Sequence, residues 1–192
     1  MNHHRGTENT EEKKLQIRTV DPQHPPSQMS KLQRTQACLW FPGNAEEAVA
    51  FYMGIFPNSR IISKPVVSEE VSTASGLPVG SVLCIEFELD GELFLALNGG
   101  PQFKFTEAVS LMVRCKDQQE IDHYWKKLSA GGPPEAQICG WLKDKYGLSW
   151  QVVPAMLTDM MRDAKGYDRM MVALMGMKKL VIAELEKAFK GK

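Results

Sequence analysis

The sequence predicts an α+β fold in which one helix-and-strand module occurs twice and is followed by C-terminal helices. Three observations carry that prediction. Two short amphipathic helices repeat one pattern at a constant separation, each is flanked by segments of strand-like alternation, and residues 155–190 are Met-rich with helical character.

Residues 1–30 are polar, contain Pro22, Pro25 and Pro26, and show no apolar periodicity, so a disordered tail is expected there. His3 and His4 belong to it, and Met29-Ser30 reads as an alternative start. The first module is assigned to 31–106, with a strand at 35–41, a helix at 44–55, a strand at 60–67, and two longer strands at 82–89 and 93–98. The second occupies 107–154, with a strand at 107–115, a helix at 117–129, and short strands at 136–143 and 148–154 around a Tyr146-Gly147 turn. A helical segment fills 155–192, and Gly166 is expected to break it in two.

Asn44 and Glu47 have the spacing of a capping box, and Asp117 and Glu120 repeat it. Behind them, Ala48, Phe51, Tyr52 and Ile55 form one apolar face, matched by Ile121, Tyr124, Trp125 and Leu128. Each member of the second set lies 73 residues after its counterpart (121 minus 48, 128 minus 55), which points to duplication.

Strand parity states which side chains share a face. Leu83, Ile85, Phe87 and Leu89 should pack on a helix, leaving Cys84 and Glu86 opposite. A three-residue loop ending at Gly91 would align the Leu93, Leu95 and Leu97 row with the first set and place Phe94, Ala96 and Asn98 beside Glu86. Glu86 is then the candidate general base, facing Ser110 and Arg114 of the second module; pairing with Arg114 is the alternative role. Trp40 shares a face with Gln36 and Cys38, so an aromatic wall is expected near them, while Trp150 alternates into the core. Asn98-Gly99-Gly100, followed by Phe103-Lys104-Phe105, could bring backbone amides and a cation to an anionic group; a tight crossover between modules is the other reading.

Lys plus Arg (23) balance Asp plus Glu (23), so the chain has no electrostatic footprint for nucleic acid or an acidic membrane. No apolar run approaches the 18 or so residues of a membrane span, and the amino terminus lacks a signal-peptide core, so a cytoplasmic location is expected. Cys38, Cys84, Cys115 and Cys139 show no metal-ligand spacing and are expected as buried, reduced thiols. His123 should sit on the solvated side of its helix, leaving no His for a pocket.

CLWFPGNAEEAVAFY at 38–52, FELDGELFLALNGGPQFKFTEA at 87–108 and CGWLKDKYGLSWQVVP at 139–154 resemble the PhnB-like family, a 3-demethylubiquinone-9 3-methyltransferase-like branch of the vicinal oxygen chelate superfamily. The resemblance implies two βαβββ modules whose curved sheets form an open barrel. It also implies metal positions at Gln36, Asn98, Ser110 and Gln151, none of which is a His or carboxylate, so no metal and no cofactor are expected.

The expected function is binding of a small molecule through Gln36, Trp40, Glu86, Phe94, Asn98, Ser110, Arg114 and Gln151, with metal-independent catalysis as an extension. Sequestration of an antibiotic or xenobiotic is an alternative. A methyltransferase-like activity is another, although the chain has no glycine-rich strand-to-helix motif for S-adenosylmethionine. A homodimer is expected, because superfamily relatives pair and 7 of the 11 methionines lie between 156 and 177.

Overall fold

Asp90 and Gly91, at φ 47° and 93°, form the whole of a two-residue hairpin turn. Both central residues of such a turn need positive φ, which an Asp-Gly pair supplies at little steric cost. The turn joins β3 (Cys84–Leu89) to β4 (Glu92–Asn98) in the computed structural model, which describes residues 33–192. The expected tail, with His3 and His4, lies outside the described residues.

This register corrects the three-residue loop. Leu89 pairs with Glu92, Phe87 with Phe94, and Ile85 with Ala96, so Phe94 and Ala96 join the buried face. Leu93, Leu95 and Leu97 fall opposite Glu88, Glu86 and Cys84 on the other face. One residue of loop length therefore moves the entire row, because side chains alternate strictly along a strand.

Around the hairpin, β1 (Ala37–Phe41) runs parallel to β4, and β2 (Arg60–Ser63) runs antiparallel to β3, giving the order β1-β4-β3-β2. Helix α1 (Ala45–Met53) covers one face with Ala45, Ala48, Val49 and Tyr52, all buried. Its cap differs from the expected box. Asn44 makes no side-chain cap bond, Glu47 reaches Lys145 and Tyr146, and Asn98 Oδ1 instead accepts from the Ala45 amide at 2.9 Å. A short helix, α2 (Glu69–Ser75), capped by Ser68 and closed by left-handed Gly76, occupies a stretch to which sequence patterning assigned no element.

The second module repeats the plan. β5 (Ser110–Cys115) and α3 (Gln118–Leu128) begin 73 residues after β1 and α1 (110 minus 37, 118 minus 45). β7 (Ser149–Pro154) pairs parallel with β5 and antiparallel with β6 (Trp141–Lys143), in the order β5-β7-β6. The strand expected over 136–143 is shortened because Cys139 and Gly140 both have positive φ; a single Ile138–Trp141 bridge stands where the first module has a strand. Here the cap does form: Asp117 Oδ1 accepts from Glu120 N at 2.9 Å, and Glu120 answers to the Lys116 amide. Neither sheet closes on itself, so the architecture is an open α+β arrangement of two related units, the second with three strands and a bridge in place of the fourth.

The modules share one core. Phe56 stacks on Tyr124 and Trp150, with centroids 5.0 and 5.5 Å away, and Tyr52 lies 5.5 Å from Trp150. At its centre Asp144, 1% exposed, accepts from Tyr52 Oη (2.8 Å), Trp150 Nε1 (2.8 Å), Tyr146 N (2.8 Å) and Leu148 N (3.1 Å). Burial pushes this carboxyl above its usual range, against the pull of the four donors.

Helices α4 (Leu157–Met160), α5 (Ala164–Met175) and α6 (Ile182–Phe189) pack on Val153 through Met160, Met170, Leu174, Leu180 and Leu185. Gly166 does not break the segment. It sits in the first turn of α5, where an added Cβ would lie 2.6 Å from the Phe189 ring of α6, and the breaks fall at 161–163 and 176–181. Among the described residues, no helix is long and apolar enough to cross a membrane.

Candidate functional site

Each sheet has a helix-covered face and an open one, and the candidate residues divide between them. On the first sheet, Gln36, Cys38 and Trp40 line up with Leu95, Leu97, Cys84 and Glu86 on the open side. Gln36 Nε2 donates to Glu86 Oε1 at 3.4 Å, and the neighbouring Glu88 is held by Arg60 at 2.8 Å. Among the described residues Glu86 has no cationic partner, and it is not paired with Arg114. On the second sheet Ser110, Met112 and Arg114 share the open side with Gln151 and Trp141, and Gln151 Nε2 donates to Ser110 Oγ at 2.8 Å.

Phe94 and Asn98 do not belong to these faces. Register turns both toward α1, where Asn98 is fully engaged: its Oδ1 caps Ala45, and its Nδ2 donates to Val82 O at 2.9 Å. Phe94 and Arg114 both line a cleft of about 470 Å³ that is also bounded by Phe56, Tyr124, Asp90 and Glu120. The wall residues of the first open face are Leu93, Leu95 and Leu97, which a two-residue Asp-Gly turn would have identified.

The open faces are unlike a metal centre. Of the four positions implied by the resemblance, Asn98 faces away, while Gln36, Ser110 and Gln151 offer neutral oxygen donors partly engaged with each other or with Glu86. Among the described residues no three His, Cys, Asp or Glu side chains cluster, and this donor set does not fit a divalent transition metal. His123 is exposed on α3, with a ring nitrogen 3.3 Å from Ile55 O. The cysteines are free, but the expectation of burial holds only for Cys115, whose thiol is pushed up to about 12 by burial; Cys38 is exposed, and Cys84 and Cys139 are half-buried.

A family model described as 3-demethylubiquinone-9 3-methyltransferase matches residues 33–153. The chain belongs to that family. It is a PhnB-like member of the vicinal oxygen chelate superfamily, as the order of strands and helices already indicated. A solved PhnB protein from Bacillus cereus is 34% identical, with a TM-score of 0.53, covering 63% of this chain and 99% of that one. The fosfomycin resistance protein FosX of Listeria monocytogenes is similar at 18% identity and a TM-score of 0.46, covering 70% of this chain and 98% of its own. A protein from Pseudomonas aeruginosa is similar at 17% identity and a TM-score of 0.47, covering 65% and 98%. No curated protein matches.

In this PhnB-like chain the family match ends near the close of β7, so α4 to α6 lie beyond it. Within it, a second cavity of about 280 Å³ opens between the loop after β4 and the β6–β7 turn, lined by Trp40, Phe103, Lys104, Phe105, Lys143 and Tyr146. Part of it was legible in the Phe103-Lys104-Phe105 motif. Lys143 and Tyr146 were not, since only the tertiary fold brings the second module's turn against the first module's loop.

Proposed function

We propose that the chain is a small-molecule-binding domain whose ligand lies against the open sheet faces, with a second copy of the chain completing the enclosure. One observation carries the reading: each sheet presents apolar side chains interleaved with neutral polar groups, joined on the first sheet by a carboxylate, on the face opposite its helix. On the first sheet these are Leu93, Leu95 and Leu97 with Gln36 and Glu86; on the second, Trp141 and Met112 with Ser110 and Gln151. Met112, 50% exposed, adds apolar surface to that face. Amides flanked by apolar walls orient an uncharged polar ligand by hydrogen bonding and gain affinity from the area they bury. Membership in a family described as a methyltransferase does not decide the reaction, because function resides in the site and not in the fold.

The test is a thermal-shift screen of metabolites, quinones and antibiotics, fosfomycin included, followed by repetition on Gln36→Ala and Gln151→Ala. A ligand of this site raises the melting temperature of the parent protein and loses most of that effect in either variant. Hits that stabilise the variants as strongly as the parent would overturn the assignment. Product analysis on the confirmed ligand then separates turnover from sequestration.

A further inference from the structure

We propose that the aromatic cavity at the seam between the modules is a separate binding site, complete in a single chain, for a small flat aromatic anion. This goes beyond the open-face reading and requires no second copy.

The site is prebuilt. Trp40 Nε1 donates to Gly100 O at 2.8 Å, and its ring lies so close over Gly99 that a Cβ there would stand 2.2 Å from it. Only glycine allows that approach. Phe103 meets the indole edge-on at 4.9 Å, and Phe105 stands edge-on to Phe41 at 5.4 Å, so the aromatic surfaces are held in place rather than collapsed on one another. Phe103 is nevertheless 63% exposed, an unfavourable state for an apolar ring that a planar ligand would relieve.

Charge selects the ligand's sign. An aromatic box alone also suits a cation, through the negative faces of its rings. Here Lys104 and Lys143 line the cavity, and Lys145 stands beside its Tyr146. Lys143 is paired with Glu107 and Lys145 with Glu47, and Lys145 already sits 4.9 Å over the Tyr146 ring. Among the described residues Lys104 has no ion-pair partner, so the rim carries one uncompensated positive charge. A cation is repelled, and a carboxylate or sulfonate on an aromatic ring is attracted.

Calorimetric titration of the full chain with 2-naphthoate tests this. The expected result is saturable binding with one molecule per chain, at least about tenfold stronger than binding of 2-naphthylmethylammonium. Phe103→Ala, at an exposed position that leaves folding intact, weakens binding by about tenfold. Lys104→Gln removes the preference for 2-naphthoate over neutral 2-naphthamide. Gln36→Ala and Gln151→Ala leave the affinity unchanged. Absence of saturable binding, equal binding of the ammonium compound, or insensitivity to Phe103→Ala overturns the proposal. Loss of 2-naphthoate binding in the Gln36 or Gln151 variants also overturns it, and assigns the ligand to the open faces instead.

Discussion

Asp144 illustrates how one side chain joins two modules. Its Oδ1 receives two backbone amides of the β6–β7 turn, and its Oδ2 receives Tyr52 from α1 and Trp150 from β7. Replacing it with Asn directs an NH₂ at one of these donor pairs, and each buried donor left unsatisfied costs about 1 to 3 kcal/mol, so Asp144→Asn should lose about 2 to 4 kcal/mol in urea unfolding. Titration adds a sign. Because burial raises this carboxyl above its usual range, the native state holds the proton more tightly than the unfolded chain. The stabilisation is full below about pH 4 and is lost as pH rises through the native value, and this falling component should vanish from the pH profile of Asp144→Asn. Glu86 is half-buried and, among the described residues, without a cationic partner. Glu86→Gln should shift stability by less than about 0.5 kcal/mol. If Glu86 acts as the base for a reaction at the open face, the variant keeps ligand affinity and loses turnover; retention of full turnover would rule out that role.

Among the elements, the α5–α6 pair offers the sharpest contest of effects. Gly to Ala inside a helix ordinarily gains about 0.5 to 1 kcal/mol. At Gly166 the added methyl would lie 2.6 Å from Phe189 and 2.8 Å from Asp163 Oδ2, the residue that caps α5. Overpacking of that kind costs about 1 to 3 kcal/mol, so Gly166→Ala should destabilise, and a raised melting temperature would show that α6 shifts freely. The same comparison shows what sequence can carry. The helices were legible because their apolar faces repeat at helical spacing, and the residues named are buried except Phe51, which is half-buried, while Ile55 lies just past the end of α1. Position along the hairpin was not. Parity gave the rows correctly, but the choice between a two- and a three-residue turn decided which row faced α1, and the assumption that the Leu row must be the buried one chose wrongly. Phe94 and Asn98 left the candidate site for that reason alone. The first capping box failed for another: Asn44 and Glu47 have the right spacing, yet Asn98, distant in sequence, supplies the cap, and Glu47 is drawn to Lys145 and Tyr146.

For the molecule as a whole, exposure of both open faces bears on assembly. If a second copy covers them, light scattering at micromolar concentration should give twice the chain mass, and Leu95→Glu, on the open side of β4, should return it to a monomer without unfolding it. A strictly monomeric parent would require a site open to solvent. The shared core has a further implication. The two modules have matching strands and helices, and Tyr52, Phe56, Tyr124, Asp144 and Trp150 join them in one cluster to which both contribute. Residues 33–106 and 107–192, expressed as separate polypeptides, should therefore each remain unfolded and recover near-ultraviolet circular dichroism only when mixed. Two modules of matching plan would then fold as one cooperative unit, each half supplying part of the core on which the other depends.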